Sequence, residues 1–195
     1  VIVPMLPSLV AEPFSDSKWL FEPKWDGYRA ICYYRESGIR FISRRNNDLT
    51  KRFPELQAID LRADSAIIDG EIVAIDEDGL PCFDELRKSR RSCAVVFYAF
   101  DLLTLNGEDI RGLPLLRRKS SLKRIVRRPK NNRIRFTDYI VGDGLALFAQ
   151  IERQQLEGMV AKKVDSKYES GRTWDWLKIK TSAGKEEIRK RIENW

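Results

Sequence analysis

The sequence predicts an α+β fold of mostly antiparallel sheets flanked by helices. Short runs rich in β-branched and aromatic residues recur from Tyr28 to Lys180, separated by Gly, Asp and Ser turns. Two other stretches space their apolar residues at helical intervals. No linker rich in Gly, Pro or Ser divides the 195 residues, of which 43% are hydrophobic and 33% charged. A single domain over 1–195 with a sizeable core is therefore expected.

The elements follow in order. Tyr28–Tyr34 and Ile39–Ser43 read as strands joined through the polar turn Arg35-Glu36-Ser37-Gly38, a hairpin. Pro54–Leu61 suits a short helix opened by proline. Ala66–Ile75 is strand-like and contains Asp69-Gly70-Glu71, followed by the turn Asp76-Glu77-Asp78-Gly79. Ala94–Leu103 is an apolar run expected to be a buried strand. After Pro114, Leu115, Leu122, Ile125 and Val126 recur at helical spacing, predicting an amphipathic helix with a cationic outer face that ends near Pro129. Gly144–Gln155 reads as a second helix, Gly158–Val164 and Trp176–Lys180 as strands, and 181–195 as a charged tail, helical from Lys185.

Composition narrows the chemistry. The chain has no histidine, which removes Ser-His-Asp catalysis, histidine zinc sites and histidine acid–base chemistry together. Cys32, Cys82 and Cys93 are odd in number and lack metal-ligand spacing, so reduced thiols in a reducing compartment are expected. No apolar run reaches the ~20 residues of a membrane span, and the start shows no signal-peptide pattern, so the expectation is a cytoplasmic protein without membrane contact. Neither a P-loop nor a Gly-x-Gly-x-x-Gly turn is present, so any nucleotide must be held by side chains.

The formal net charge of +7 suggests a polyanionic partner. Its distribution is uneven. Eleven Lys or Arg residues and no acidic ones lie between Arg111 and Arg135, among them Arg117, Arg118, Lys123 and Arg124. That stretch is either a solvated helix face or a surface for a phosphate backbone. A smaller basic group, Arg40, Arg44, Arg45, Lys51 and Arg52, follows the start of the second strand.

Glu22-Pro23-Lys24-Trp25-Asp26-Gly27-Tyr28-Arg29 carries the candidate nucleophile. A lysine amine attacks only after losing its proton, and an unperturbed lysine near pKa ~10.4 is almost wholly protonated at neutral pH. Burial against Trp25 and nearby cations such as Arg29 would each favour the neutral form. Gly27 lets the backbone turn closely, and Asp26 offers a short carboxylate for hydrogen bonding. Taken alone, Lys-x-Asp-Gly more often describes an ordinary charged hairpin turn.

The rest of the chain changes that balance. Ser43-Arg44, Asp69-Gly70-Glu71, Phe97–Leu103, Glu157-Gly158-Met159-Val160-Ala161-Lys162 and Trp176-Leu177-Lys178-Ile179-Lys180 follow in order. With the Lys24 motif they make six pieces that resemble, from Pro4 to about Lys180, the nucleotidyltransferase domain of ATP-dependent DNA ligases, most closely the bacterial end-joining type. The resemblance implies an ATP-grasp-like nucleotidyltransferase fold. It also implies an enzyme that uses ATP and Mg²⁺, carries AMP covalently on Lys24 and seals nicked duplex DNA.

The resemblance also assigns roles. Lys24, Lys178 and Lys180 would be catalytic. Glu157 and Asp26 would serve the metal, while Asp101 would serve either the metal or the fold. Glu71 would take the ribose hydroxyl and Phe100 would stack on adenine, with Met159 or Val160 closing the other face. Glu22, through side chain or backbone, and Lys162 would also contact the nucleotide. Arg29 and Arg44 would hold phosphate; from charge rather than resemblance, Arg45, Arg117, Arg118, Lys123 and Arg124 are expected to face DNA. The fifteen residues after Lys180 cannot make the oligonucleotide-binding barrel that such ligases normally carry. The expectation is a monomer that relies on a separate barrel domain or a protein partner to encircle DNA. RNA ligases and capping-type guanylyltransferases resemble the same motif set, and a DNA-end-binding module without turnover is the reading from another class.

Overall fold

The computed structural model describes residues 2–88, 90–126 and 133–186. The strands, in chain order, are β1 (Met5–Leu9), β2 (Trp19–Pro23), β3 (Tyr28–Arg35), β4 (Gly38–Ser43), β5 (Ala66–Ile75) and β6 (Ala94–Leu105). They continue with β7 (Glu108–Asp109), β8 (Ile134–Phe136), β9 (Ile140–Val141), β10 (Gly158–Lys163) and β11 (Gly171–Lys180). Helix α1 is Leu115–Val126 and α2 is Gly144–Arg153. The uniform composition of the chain resolves into two compact units. The larger takes Asp26–Thr137 with Lys167–Ser170, and the smaller takes Met5–Trp25, Asp138–Ser166 and the chain from Gly171. Because the chain passes between the units several times, no single linker marks the boundary.

The larger unit is a sheet in the order β4-β3-β5-β6-β7, with β8 pairing parallel to β6. β5 lies between β3 and β6 and is buried along most of its length, which explains its nearly continuous apolar sequence. Phe41, Ile68, Ile72, Phe97 and Leu102 from the sheet share one core with Phe53, Leu56, Leu122 and Ile125. The pairing of β5 with β6 slips at two points, between Ile67 and Ile68 and between Asp69 and Gly70; at the second, Gly70 faces Ala99 while Asp69 faces Asp101. Phe100 is thus the extra residue of a β-bulge, a device that re-aims side chains beside functional sites. Cys32 is buried in this core, and burial raises its thiol pKa.

The smaller unit is a sheet in the order β1-β11-β10-β2-β9, antiparallel except for the β1–β11 pair. Alternation along its strands sorts the side chains by face. Phe21, Met159, Ala161, Leu177 and Ile179 form a core with Leu147 and Ile151 of α2. The intervening residues, Glu22, Val160, Lys162, Lys178 and Lys180, occupy the opposite face. Asp143 caps α2 by accepting a hydrogen bond from the Ala146 amide.

Several sequence expectations shift. Pro54–Leu61 forms only a 3₁₀ turn over Pro54–Ala58, and α2 ends two residues early. β11 begins at Gly171 rather than Trp176. β1, β2, β8 and β9 were not legible: they are two to five residues long, β1 contains Pro7 and β2 contains Glu22. Proline suits β1 because it is an edge strand. Residues 182–186 are helical, while 187–195 of the expected tail and the stretch toward Pro129 lie outside the described residues. Among the described residues no helix is long and apolar enough to cross a membrane.

One correction concerns charge. Arg118 is fully buried, not part of an outer cationic face, and its guanidinium donates through Nε and Nη2 to both oxygens of Asp101, each at 2.8 Å. Its Nη1 donates to the Leu113 carbonyl. Lys119 is buried too, donating to the Phe100 and Thr137 carbonyls. The reason is helical geometry: position 118 lies three after Leu115 and four before Leu122, so it falls on the stripe that faces the sheet. Asp101 accordingly serves the fold. Removing one member of such a buried pair leaves an uncompensated charge. Arg118→Ala should lower the urea-unfolding free energy by about 3–5 kcal/mol, whereas exposed Arg117→Ala should change it by less than about 0.5 kcal/mol.

Candidate active site

The candidate nucleophile is positioned by backbone. Just past the end of β2, the Lys24 amide donates to the Gly158 carbonyl at 2.8 Å, and Gly158 is paired in turn with Lys180 of β11. Three neighbouring strands therefore end together, bringing Lys24, Glu157 and Lys180 to one corner of the smaller unit. Close approach here requires Gly158. Its φ is +155°, and a Cβ at that position would lie 2.1 Å from the Ile179 carbonyl oxygen. Thr181, which the sequence reading did not single out, fixes the segment before β10. Its buried hydroxyl donates to the Leu156 carbonyl at 2.6 Å, and its amide donates to the Glu157 carbonyl.

The Lys24 ammonium donates to Oε2 of Glu157, and Lys180 approaches Oε1 of the same carboxylate at 3.7 Å. All three side chains keep some solvent access, between 12% and 24%. Two cations around one anion leave a net positive corner, which suits a phosphate group. Lys178 lies on the same face, two residues before Lys180, in register with Val160 and through it with Glu22.

Behind this corner Glu22 and Lys162 form a buried pair at 2.7 Å, and the Lys162 ammonium also lies 4.1 Å from the centroid of the Trp176 ring. The two charges meet diagonally across β2 and β10. Met159 is corrected. It is fully buried with α2 on the other face, so it cannot close a nucleotide site on the lysine face; Val160 has the right parity.

In the larger unit, Arg29 of β3 donates through Nε and Nη2 to both oxygens of Asp69, at 3.1 and 2.7 Å. The Tyr168 hydroxyl donates to the same Asp69 at 2.6 Å. Burial works against the Arg29 charge, but Asp69, with smaller help from Tyr168 and Glu71, outweighs it and raises the Arg29 pKa. Arg29 faces Glu71 in register, and its guanidinium lies 5.3 Å from the Phe100 ring centroid. The sequence reading named Arg29, Glu71 and Phe100 but assigned no role to Asp69 or Tyr168. Glycine at 27 is required within this unit, since a Cβ there would meet the Ile72 carbonyl oxygen at 2.1 Å.

Asp26 is half-buried, and Arg44 and Arg45 are exposed on the turn after β4. Arg117 and Arg124 are exposed on α1, while Lys123 is half-buried with its ammonium 5.3 Å from the Phe136 ring centroid. Among the described residues no cluster of three or more acidic or thiol side chains could hold a metal by itself.

Comparison with known proteins identifies the family. The family model of the ATP-dependent DNA ligase domain matches residues 4–180. The multifunctional non-homologous end joining DNA repair protein LigD of Mycobacterium tuberculosis is 35% identical over 167 residues, covering 84% of this chain and 22% of that protein. The SPbeta prophage-derived DNA ligase-like protein LigB of Bacillus subtilis is 33% identical over 183 residues, covering 91% of this chain and 67% of that protein. The crystal structure of the ligase domain of M. tuberculosis LigD superposes with a TM-score of 0.77 at 32% identity, over 91% of this chain and 59% of that one. The chain belongs to the ATP-dependent DNA ligase domain family, as its adenylation domain. It spans about a fifth of the LigD proteins it matches.

The buried Glu22–Lys162 pair makes a prediction. Lys162→Met alone should cost about 3–5 kcal/mol of stability because Glu22 is left buried without its ionic partner, while the double change with Glu22→Leu should recover most of that loss. Urea unfolding of the four proteins in the cycle measures it.

Proposed function

We propose that this chain adenylates itself on Lys24 from ATP and passes the AMP to a 5′-phosphate in nicked duplex DNA, for sealing by the adjacent 3′-hydroxyl. The observation that carries the reading is the corner where Lys24 and Lys180 share the Glu157 carboxylate.

In the first step Lys24 Nζ attacks the α-phosphorus. A P–N bond forms, the bond from that phosphorus to the bridging oxygen breaks, and pyrophosphate leaves. The charge that develops on the phosphoryl oxygens needs cations already in place, and Lys180 and Lys178 on the same sheet face are suited to supply them. The Lys24 ammonium, which donates to Glu157 and keeps solvent access, gives up its proton to water before the P–N bond forms.

Glu157 is the carboxylate we assign to Mg²⁺. A single carboxylate suits that ion, which commonly binds through one or two carboxylates together with substrate phosphates and water. When bound there, Mg²⁺ would neutralise charge on the phosphates. Asp26 is proposed to support it. We assign Glu71 to the ribose, Phe100 to the base, and Glu22 and Lys162 to adenine selection. Arg29 and Arg44 are assigned to phosphate. Arg45, Arg117, Lys123 and Arg124 are proposed to contact the DNA backbone. A separate barrel domain or partner completing the DNA grip, a monomeric state and a cytoplasmic location belong to the same reading, the last supported by free thiols at Cys32, Cys82 and Cys93.

Two measurements test it. Incubation with Mg²⁺ and ATP labelled at the α-phosphate should leave acid-labile label on the denatured protein, and Lys24→Ala should leave none; equal labelling of both would sink the reading. Label from GTP in preference to ATP would point instead to a capping-type enzyme. Neutralising Arg117, Lys123 and Arg124 together should reduce the slope of log K against log salt for nicked DNA by up to about 3, roughly one for each lost phosphate contact.

A further inference from the structure

Tyr168 lies outside every motif that marks the chemistry, yet its hydroxyl makes a short hydrogen bond to a carboxylate of the phosphate-handling side. The tyrosine is 5% exposed and Asp69 is fully buried. The segment that carries it, Lys167–Ser170, leaves the β10–β11 connection to become part of the larger unit, where the Tyr168 amide donates to the Arg111 carbonyl at 2.9 Å. Backbone and side chain are therefore both anchored there.

Asp69 Oδ2 accepts from two donors, Arg29 Nη2 at 2.7 Å and the Tyr168 hydroxyl at 2.6 Å, while Oδ1 accepts from Arg29 Nε at 3.1 Å. A carboxylate held only by the guanidinium fork can swing with it, since both partners turn about flexible bonds. A third donor from a ring packed in the interior removes that freedom, because the tyrosine hydroxyl is fixed by the position of its ring. The guanidinium plane then has one orientation, alongside the Phe100 ring at 5.3 Å.

We propose that Tyr168 is a positioning residue for the ligation reaction, acting through Asp69 to hold the Arg29 guanidinium in the orientation that engages phosphate. This rests on the role given to Arg29 in the function proposed above. Tyr168 touches no reacting atom. Its contribution is preorganisation, so it should affect rate more than substrate affinity.

The test is a double-mutant cycle on the whole chain, with Tyr168→Phe, Arg29→Ala and both together. The readouts are the single-turnover rates of Lys24 labelling and of AMP transfer to nicked DNA. Tyr168→Phe should slow at least one of these rates about tenfold, with the KM for ATP changed less than about twofold. In the Arg29→Ala background the same change should have no further effect. Multiplicative losses, or a Tyr168→Phe protein as fast as the parent, would overturn the proposal. If Tyr168→Phe melts below the assay temperature, Asp69→Asn, which keeps the acceptor's size and weakens its hold on both donors, enters the same cycle with the same expected outcomes. Absence of label on the parent protein would instead defeat the functional reading itself, so the two failures are distinguishable.

Discussion

Two ammonium groups meet on one carboxylate in the smaller unit. Glu157 is half-buried between Lys24 and Lys180, and the corner exists only because β2, β10 and β11 end in register. The same register puts Phe21, Met159, Ala161 and Ile179 on the helix side. A slip of one residue in any of these strands would exchange the faces, burying lysines under α2 and exposing its core. Apolar packing on one side of the sheet thus fixes charge placement on the other.

Buried charge recurs away from that corner. Glu22–Lys162, Arg29–Asp69 and Asp101–Arg118 are each withdrawn from water and paired. Such pairs contribute little net stability compared with apolar replacements of the same shape, because desolvation offsets the attraction. Their value here is orientation. Asp101–Arg118 and the Lys119 ammonium tie α1 to the bulge of β6 around Phe100, and Arg29–Asp69 sets a guanidinium beside the Phe100 ring. Each places a group to which the proposed function gives a part in nucleotide binding.

Much of the fold was legible locally. β5 was read with its observed ends, and β3, β4, β6 and both helices were located, because their periodicity is sustained over six or more residues. The short strands β1, β8 and β9 were not, since two to five residues carry too little pattern and pairing partners far along the chain decide them. The charge of Arg118 suggests an outward face, whereas its spacing from Leu115 and Leu122 places it on the inward stripe. Met159 was misplaced for want of strand parity, which its neighbour Val160 satisfies.

What the sequence determined by itself was the identity and order of the candidate groups: a lysine in its motif, carboxylates at Glu71 and Glu157, and paired lysines at 178 and 180. Those residues are local and their chemistry is fixed by type. Tertiary structure alone decided which of them meet. The sharing of Glu157, the burial of Arg118 and the bond from Tyr168 to Asp69 join residues between seventeen and more than a hundred positions apart. Contacts of that span depend on register, bulges and chain crossings between sheets, and no local pattern encodes them.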